Sequence, residues 1–261
     1  MKQNELRNQP LRRLGPRGQA RSTGGKMNYA IVGAGGRGKR MEAGINKALL
    51  KIGGKEVILH TLKKFQNCSA IQAIVLIISE EDKQIFEQIL EINNISFPKL
   101  KLFAEPGEER QHSMQNGLQK LKELNPKHHD IVLFHNACNP FIQEKEIIEC
   151  LRAAEQFDAS VAAFPVKDTI RKVNEKLFST ETLNRKELWS MQTPQAMKYE
   201  LACKAFEQAA RDNFLGTDDV QLCERIGIFP KIVQCSYDNI KITTPEDLAI
   251  SEMILKRQEG K

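Results

Sequence analysis

From residue 28 to residue 166, strand-length apolar runs alternate with helix-length amphipathic segments, and this restricts the chain to few architectures. "NYAIVGA" (28–34), "AIVLIIS" (73–79), "LKLFAE" (100–105), "DIVLFH" (130–135) and "ASVAAFPV" (159–166) read as strands. Most are apolar almost throughout, so they must be covered on both faces. That pattern predicts a mostly parallel sheet with helices on both sides. "EEDKQIFEQILEI" (80–92) has Ile85, Ile89 and Leu90 at helical spacing, and "ERQHSMQNGLQKLKEL" (109–124) has Met114, Leu118 and Leu121 on one face. "QEKEIIECLRAAEQF" (143–157) reads as a helix, and "KIGGKEVILHTL" (51–62) as a turn and a helix.

Residues 167–190 break the rhythm with short polar–apolar alternation around a turn, predicting a β-hairpin arm that projects from the sheet. After it come a helix near 198–211, a helix near 218–226, the strand "KIVQCS" (231–236) and a terminal helix from Pro245. Thr244 is expected as its N-cap, with acids in the first turn.

Ligands of parallel sheets bind beyond the carboxyl ends of the strands. The loops there begin "GAGGRGKRM", "EPGEER" and "HNACNP". Residues 33–38 satisfy G-x-G-x-x-G, but Gly44 and Asn46 interrupt the helix a dinucleotide site needs, and no second strand brings an acid to the ribose. Residues 33–39 also satisfy G-x-x-x-x-G-K, but Arg40 stands where a P-loop requires Ser or Thr. The third reading is a loop whose backbone N–H groups cradle a triphosphate, flanked by Arg40 and Lys47. Glycine lets the backbone approach phosphate closely, Arg grips it in a planar fork, and Lys supplies a compact charge.

Charge and cysteine usage exclude other classes. The net charge is +6. Residues 1–26 carry seven cations against Glu5, which accounts for all of it; the remaining 32 cations are matched by 32 anions. The basic balance therefore describes a tail and not a nucleic-acid-binding face. That tail, poor in large apolar residues, is expected to be disordered, with residues 27–261 forming the folded domain. It lacks the apolar core of a secretory signal, and Glu5 and the absence of amphipathic pattern argue against an organelle-targeting peptide. No apolar run approaches membrane-spanning length. The six cysteines show neither C-x-x-C spacing nor neighbouring paired histidines, so a cytoplasmic protein without a zinc or disulfide framework is expected.

An ordered set of motifs over residues 28–256 resembles the 2-C-methyl-D-erythritol 4-phosphate cytidylyltransferases of isoprenoid synthesis. The motifs are "AGGRGKRM" with Lys47, "HTLKKF" (60–65), "PGEERQHSMQNGL" (106–118), "HNACNPF" (135–141), "PVKDTIRKV" (165–173), "LWSMQTPQAM" (188–197), "GTDDVQLCERIG" (216–227) and "DNIKITTPEDL" (238–248). The resemblance implies a Rossmann-like α/β sheet whose protruding arm forms a homodimer. It implies a reaction of CTP with a polyol phosphate, with Mg²⁺, giving a CDP-alcohol and pyrophosphate. Arg40, Lys47 and Lys241 resemble the catalytic cations. Ala34, Gly35, Gly36, Gly38, Gly107, Glu108 and Ser113 resemble the CTP site. Thr169, Arg185, Thr193 and Thr217 resemble the acceptor site, together with Lys241 and the loop of Asn136 and Asn139; Thr169 and Arg185 come from the neighbouring subunit. The metal ligands are left unassigned.

Three departures from the family, besides the small change to Cys138, bear on the site. Its motif H-D-A-A-R-P is His135-Asn136-Ala137-Cys138-Asn139-Pro140 here, so an aspartate and an arginine are lost together. This suggests a pair that interacted and was removed as a unit. Asn46 replaces the proline before Lys47, implying a less rigid loop and a less preorganised lysine. The alternatives are a cytidylyltransferase for another polyol phosphate, such as ribitol 5-phosphate, and a nucleotide-binding protein without turnover.

Other residues read as structural. His135 is expected to be buried and hydrogen-bonded, and His112, His128 and His129 exposed. Asp218 and Asp219 are expected to cap a helix, Trp189 to pack at the base of the arm, Arg171 and Lys172 to be solvated, and Cys138 to have no chemistry.

Overall fold

A computed structural model describes residues 25–36, 46–258 and 260. Gly38, Arg40 and most of the basic tail lie outside the described residues. The five apolar runs form parallel strands: β1 (Asn28–Gly33), β4 (Ala73–Ile77), β5 (Leu100–Ala104), β6 (Ile131–Asn136) and β7 (Ala159–Pro165). Between β1 and β4 lie a small hairpin, β2 (Lys51–Ile52) and β3 (Lys55–Glu56), and helix α1 (Val57–Asn67). Helices α2 (Glu80–Ile92), α3 (Arg110–Leu121) and α4 (Glu144–Phe157) match the expected segments.

The sheet order is β11-β7-β10-β6-β1-β4-β5, where β10 is Trp189–Lys198 and β11 is Lys231–Gln234. β10 runs antiparallel to both β6 and β7, and its insertion into the centre of the sheet was not expected. Consecutive residues of β1 serve opposite layers. Ala30 and Val32 join the core with Phe65 of α1, Phe86 of α2 and Ile147 of α4. Tyr29 and Ile31 join Met114, Leu118 and Leu121 of α3 and Phe206 of α5 (Tyr199–Arg211). Ile85 is a correction: it is exposed, and Phe86 is the fully buried anchor of α2, with Ile89 and Leu90 partly buried.

The arm is a hairpin of β8 (Arg171–Val173) and β9 (Ser179–Thr182), exposed along both strands. Lys172 pairs with Glu181 and Arg171 reaches Ser179, both on the exposed arm surface. Helix α6 (Val220–Glu224) follows α5. Helix α7 (Pro245–Gln258) closes a third cluster of Ile52, Val57, Phe141, Ile242 and Ile254. Asp247 in its first turn accepts from the backbone N–H groups of Thr243 and Thr244, satisfying orphan donors at the helix start. Among the described residues no helix is long and apolar enough to cross a membrane, and the six cysteines are free thiols.

Candidate active site

The sheet places the site. β1 has β4 on one side and β6 on the other, so its carboxyl end lies where the strand order reverses. Two backbone bonds splay the loops there: Ala34 N–H donates to Ile77 (2.7 Å) and Ala137 N–H to Gly33 (2.8 Å).

On one side, the loop after β1 meets the loop after β5. A Cβ on Gly35 would stand 2.3 Å from Cβ of Pro106, and one on Gly107 would stand 2.5 Å from Cβ of His112. Both glycines are therefore demanded by close approach. Ser113 Oγ accepts from Gly107 N–H (2.9 Å) and meets the carbonyl of Glu109 (3.1 Å), closing this loop onto α3. Glu108 is exposed at its rim, as is Gly36 in the loop opposite, and His112 is half-buried rather than exposed.

The loop expected to be less rigid lies mostly outside the described residues, but Asn46 at its end is anchored. Asn46 is 6% exposed. Its Nδ2 donates to the carbonyl of Ala34 (2.5 Å) and to Asp82 (2.9 Å), and its Oδ1 accepts from Ala48 N–H (3.0 Å). The chain entering Lys47 is thus tied to the end of β1 and the start of α2. Lys47 Nζ then donates to the carbonyl of Thr243.

On the other side lies a cavity of about 140 Å³. Asn136, Asn139, Thr193, Thr217 and Lys241, separated by up to 105 positions in the chain, all line it, as the resemblance implies. Ile242 N–H donates to the carbonyl of Cys138 (2.8 Å), holding the Lys241 segment against the β6 loop. A register shift between Met191 and Gln195 in β10 puts Gln192 and Thr193 into the wall. Thr169 and Arg185 are not brought there: both are exposed on the arm, where Arg185 Nη1 donates to the carbonyl of Lys167 (2.7 Å).

Asn136 Nδ2 donates to Asn139 Oδ1 (3.1 Å), so the two exchanged positions are in direct contact. Asn136 Oδ1 accepts from Nε of Arg110 (3.0 Å), whose Nη1 and Nη2 grip Asp219 (2.9 and 2.6 Å). Burial works against the Arg110 charge, but Asp219 outweighs it and holds the guanidinium pKa above its usual value. The expected capping splits: Asp218 accepts from Gln221 N–H at the start of α6 (2.9 Å), whereas Asp219, 1% exposed, is the partner of Arg110. Burial raises the Asp218 pKa. Arg110 is a residue the sequence reading missed, as are Met191, Gln192 and Gln195 of the same wall. The motif of Arg110 was legible, but its partner lies 109 positions away.

Among the described residues no nucleophile and base stand together. His135 is fully buried, with Nε2 3.0 Å from the carbonyl of Asn139; burial lowers its pKa to about 4. Burial pushes the Cys138 thiol up to about 11, despite the nearby cations Lys241 and Lys47. Among the described residues no group of three or more His, Cys, Asp or Glu could hold a metal. Asp219 is committed to Arg110, and Asn136 stands where the family has aspartate, so these side chains do not build a magnesium cage.

The family model for 2-C-methyl-D-erythritol 4-phosphate cytidylyltransferase matches residues 28–257. The chain is 45% identical to the enzyme of that name from Geobacillus thermodenitrificans over 230 residues, 88% of this chain and 97% of the relative. It is 42% identical to that from Clostridioides difficile over 233 residues, 89% and 95% of the two chains. The crystal structure of 4-diphosphocytidyl-2C-methyl-D-erythritol synthase from Anaerococcus prevotii superposes with a TM-score of 0.76 at 29% identity, covering 88% of this chain and 96% of that one. The Francisella tularensis 2-C-methyl-D-erythritol 4-phosphate cytidylyltransferase gives 0.73 at 28% identity, with 87% and 99% covered. The glycine-lined strand end, the cavity beside it and these matches agree: the chain belongs to the 2-C-methyl-D-erythritol 4-phosphate cytidylyltransferase family.

Proposed function

We propose that the chain transfers the cytidylyl group of CTP to the phosphate of 2-C-methyl-D-erythritol 4-phosphate, within the folded domain of residues 27–261. An acceptor phosphate oxygen attacks the α-phosphorus of CTP. The bond from that phosphorus to the β-phosphate oxygen breaks, and pyrophosphate leaves with the electron pair.

A phosphate monoester is largely ionised near neutral pH, so the nucleophile needs no general base. The absence of a poised nucleophile–base pair among the described residues fits this chemistry. What remains is to bring two polyanions together and stabilise charge at the transferring phosphorus, which is work for positioned cations and backbone donors. In this reading Ala34, Gly35, Gly36, Gly38, Gly107, Glu108 and Ser113 receive the nucleotide. Arg40 and Lys47 grip its triphosphate, and Lys241, Thr193, Thr217, Asn136 and Asn139 face the acceptor. Mg²⁺ arrives on the triphosphate as part of the nucleotide substrate, since magnesium is commonly held through substrate phosphates. Thr169 and Arg185 reach the cavity of a second subunit through the arm, making the working unit a homodimer. Leu177 and Phe178 at the exposed arm tip supply apolar surface for that contact. The free thiols suit a reducing cytoplasm.

The observation that carries this reading is the meeting of Lys47 with the carbonyl of Thr243, two residues from Lys241 at the cavity wall. Pyrophosphate release from CTP, measured with methylerythritol phosphate, with ribitol 5-phosphate and with no acceptor, tests it. Release with methylerythritol phosphate at the highest kcat/KM is expected. Preference for ribitol 5-phosphate, or release with neither, would overturn it.

A further inference from the structure

We propose that Arg110 contacts the acceptor's phosphate and stands in for the arginine that this chain lacks at position 139; this rests on the reading that the cavity takes a polyol phosphate. Among the described residues, the lining of that cavity contains two cations, Arg110 and Lys241, and one carboxylate, Asp218. Asp218 is engaged by Gln221 N–H and by Nε2 of Gln195 (3.2 Å). Three of the five N–H groups of Arg110 are taken by Asp219 and Asn136, which fix the plane of the guanidinium. Two remain, and the side chain keeps 29% of its surface open. A preoriented guanidinium with spare donors is well suited to a phosphate.

The exchange at 136 and 139 supplies the second half of the argument. A carboxylate at 136 would be a second anion on the same guanidinium and would compete with a bound phosphate. Asn136 offers a neutral oxygen instead, so Arg110 is held without being further neutralised. Asn139 is 1% exposed and spends its Oδ1 on Asn136, so it brings no charge to the wall. Losing the pair leaves the formal charge of the wall unchanged, while the task of meeting the phosphate passes to Arg110.

The test is steady-state kinetics of the full chain with calorimetric CTP binding. Arg110→Gln alone leaves Asp219 buried and unpaired, and is expected to compromise folding. Arg110→Lys keeps the charge, and the double variant Arg110→Gln/Asp219→Asn keeps the site neutral. Both are expected to raise the acceptor KM about ten- to a hundredfold, the scale of a hydrogen bond to a charged group, with CTP affinity within about twofold. In an Asn136→Asp/Asn139→Arg background the effect of Arg110→Lys is expected to shrink to less than about threefold. An acceptor KM unchanged in both Arg110 variants, CTP affinity falling in step with it, or the same loss in both backgrounds would overturn the proposal. A parent chain that releases no pyrophosphate with any polyol phosphate would defeat the underlying reading, and this assignment with it.

Discussion

Lys47 donates its ammonium to the carbonyl of Thr243, 196 positions further along the chain. Thr243 is itself fixed, because its N–H and hydroxyl both donate to Asp247 (2.8 Å each). The chain after the first strand and the segment carrying Lys241 are thereby joined at one place, where the proposed function has the two substrates meet. Lys47→Ala is expected to lower kcat by about 10²–10³, the usual scale for removing one transition-state donor, while the melting temperature stays near that of the parent. Pyrophosphate release and a thermal melt check both halves.

Asn46 separates backbone preference from side-chain bonding. Its φ of −62° suits proline, but proline cannot make its three side-chain hydrogen bonds. Asn46→Ala is expected to cost about 1–3 kcal/mol, because the buried Ala34 carbonyl and Asp82 lose a donor. Asn46→Pro is expected to lose less, because the fixed φ restricts the unfolded chain. Denaturant melts of the three proteins give the order.

His135 predicts an acid limb in the stability curve. Its pKa falls from an ordinary 6.5 to about 4 in the folded state, so below 6.5 the unfolded chain binds more protons. Its contribution is complete above about pH 6.5 and is lost as pH falls toward 4, to a total of about 3 kcal/mol. Melting temperatures from pH 4.5 to 7.5 should fall on the acid side, and His135→Gln should flatten that slope.

The arm makes a claim about assembly that subunit mixing checks. Lys47→Ala and Arg185→Ala chains are each expected to be nearly inactive. If Arg185 serves the neighbouring site, a mixed dimer has one site with both lesions and one with neither. Equal amounts, refolded together, should then recover about a quarter of parent activity. If Arg185 served its own subunit, every site would carry a lesion and activity would not return.

The parallel strands were legible because burial on both faces forces an unbroken apolar run, and β1, β4, β6 and β7 have one. β10 was hidden by its own function. Gln192, Thr193, Pro194 and Gln195 interrupt any strand-like pattern, yet Gln192, Thr193 and Gln195 line the cavity and Gln195 caps α6 through Asp219 and Val220 N–H. In α2 the spacing put Ile85 inward, whereas packing chose the adjacent Phe86. Half of the cavity wall, Asn136, Asn139, Thr193, Thr217 and Lys241, was legible from motif order. Arg110 and Asn46 were not, because each is defined by a partner 26 to 109 or 12 to 36 positions away, and local pattern carries no such pairing.

Phosphorus NMR of the full chain with CTP, Mg²⁺ and 2-C-methyl-D-erythritol 4-phosphate observes both products at once. The account predicts loss of the monoester resonance, with a new diphosphate diester and pyrophosphate appearing in equal amounts. A persistent monoester signal, with CTP unchanged or merely hydrolysed to orthophosphate, would contradict it.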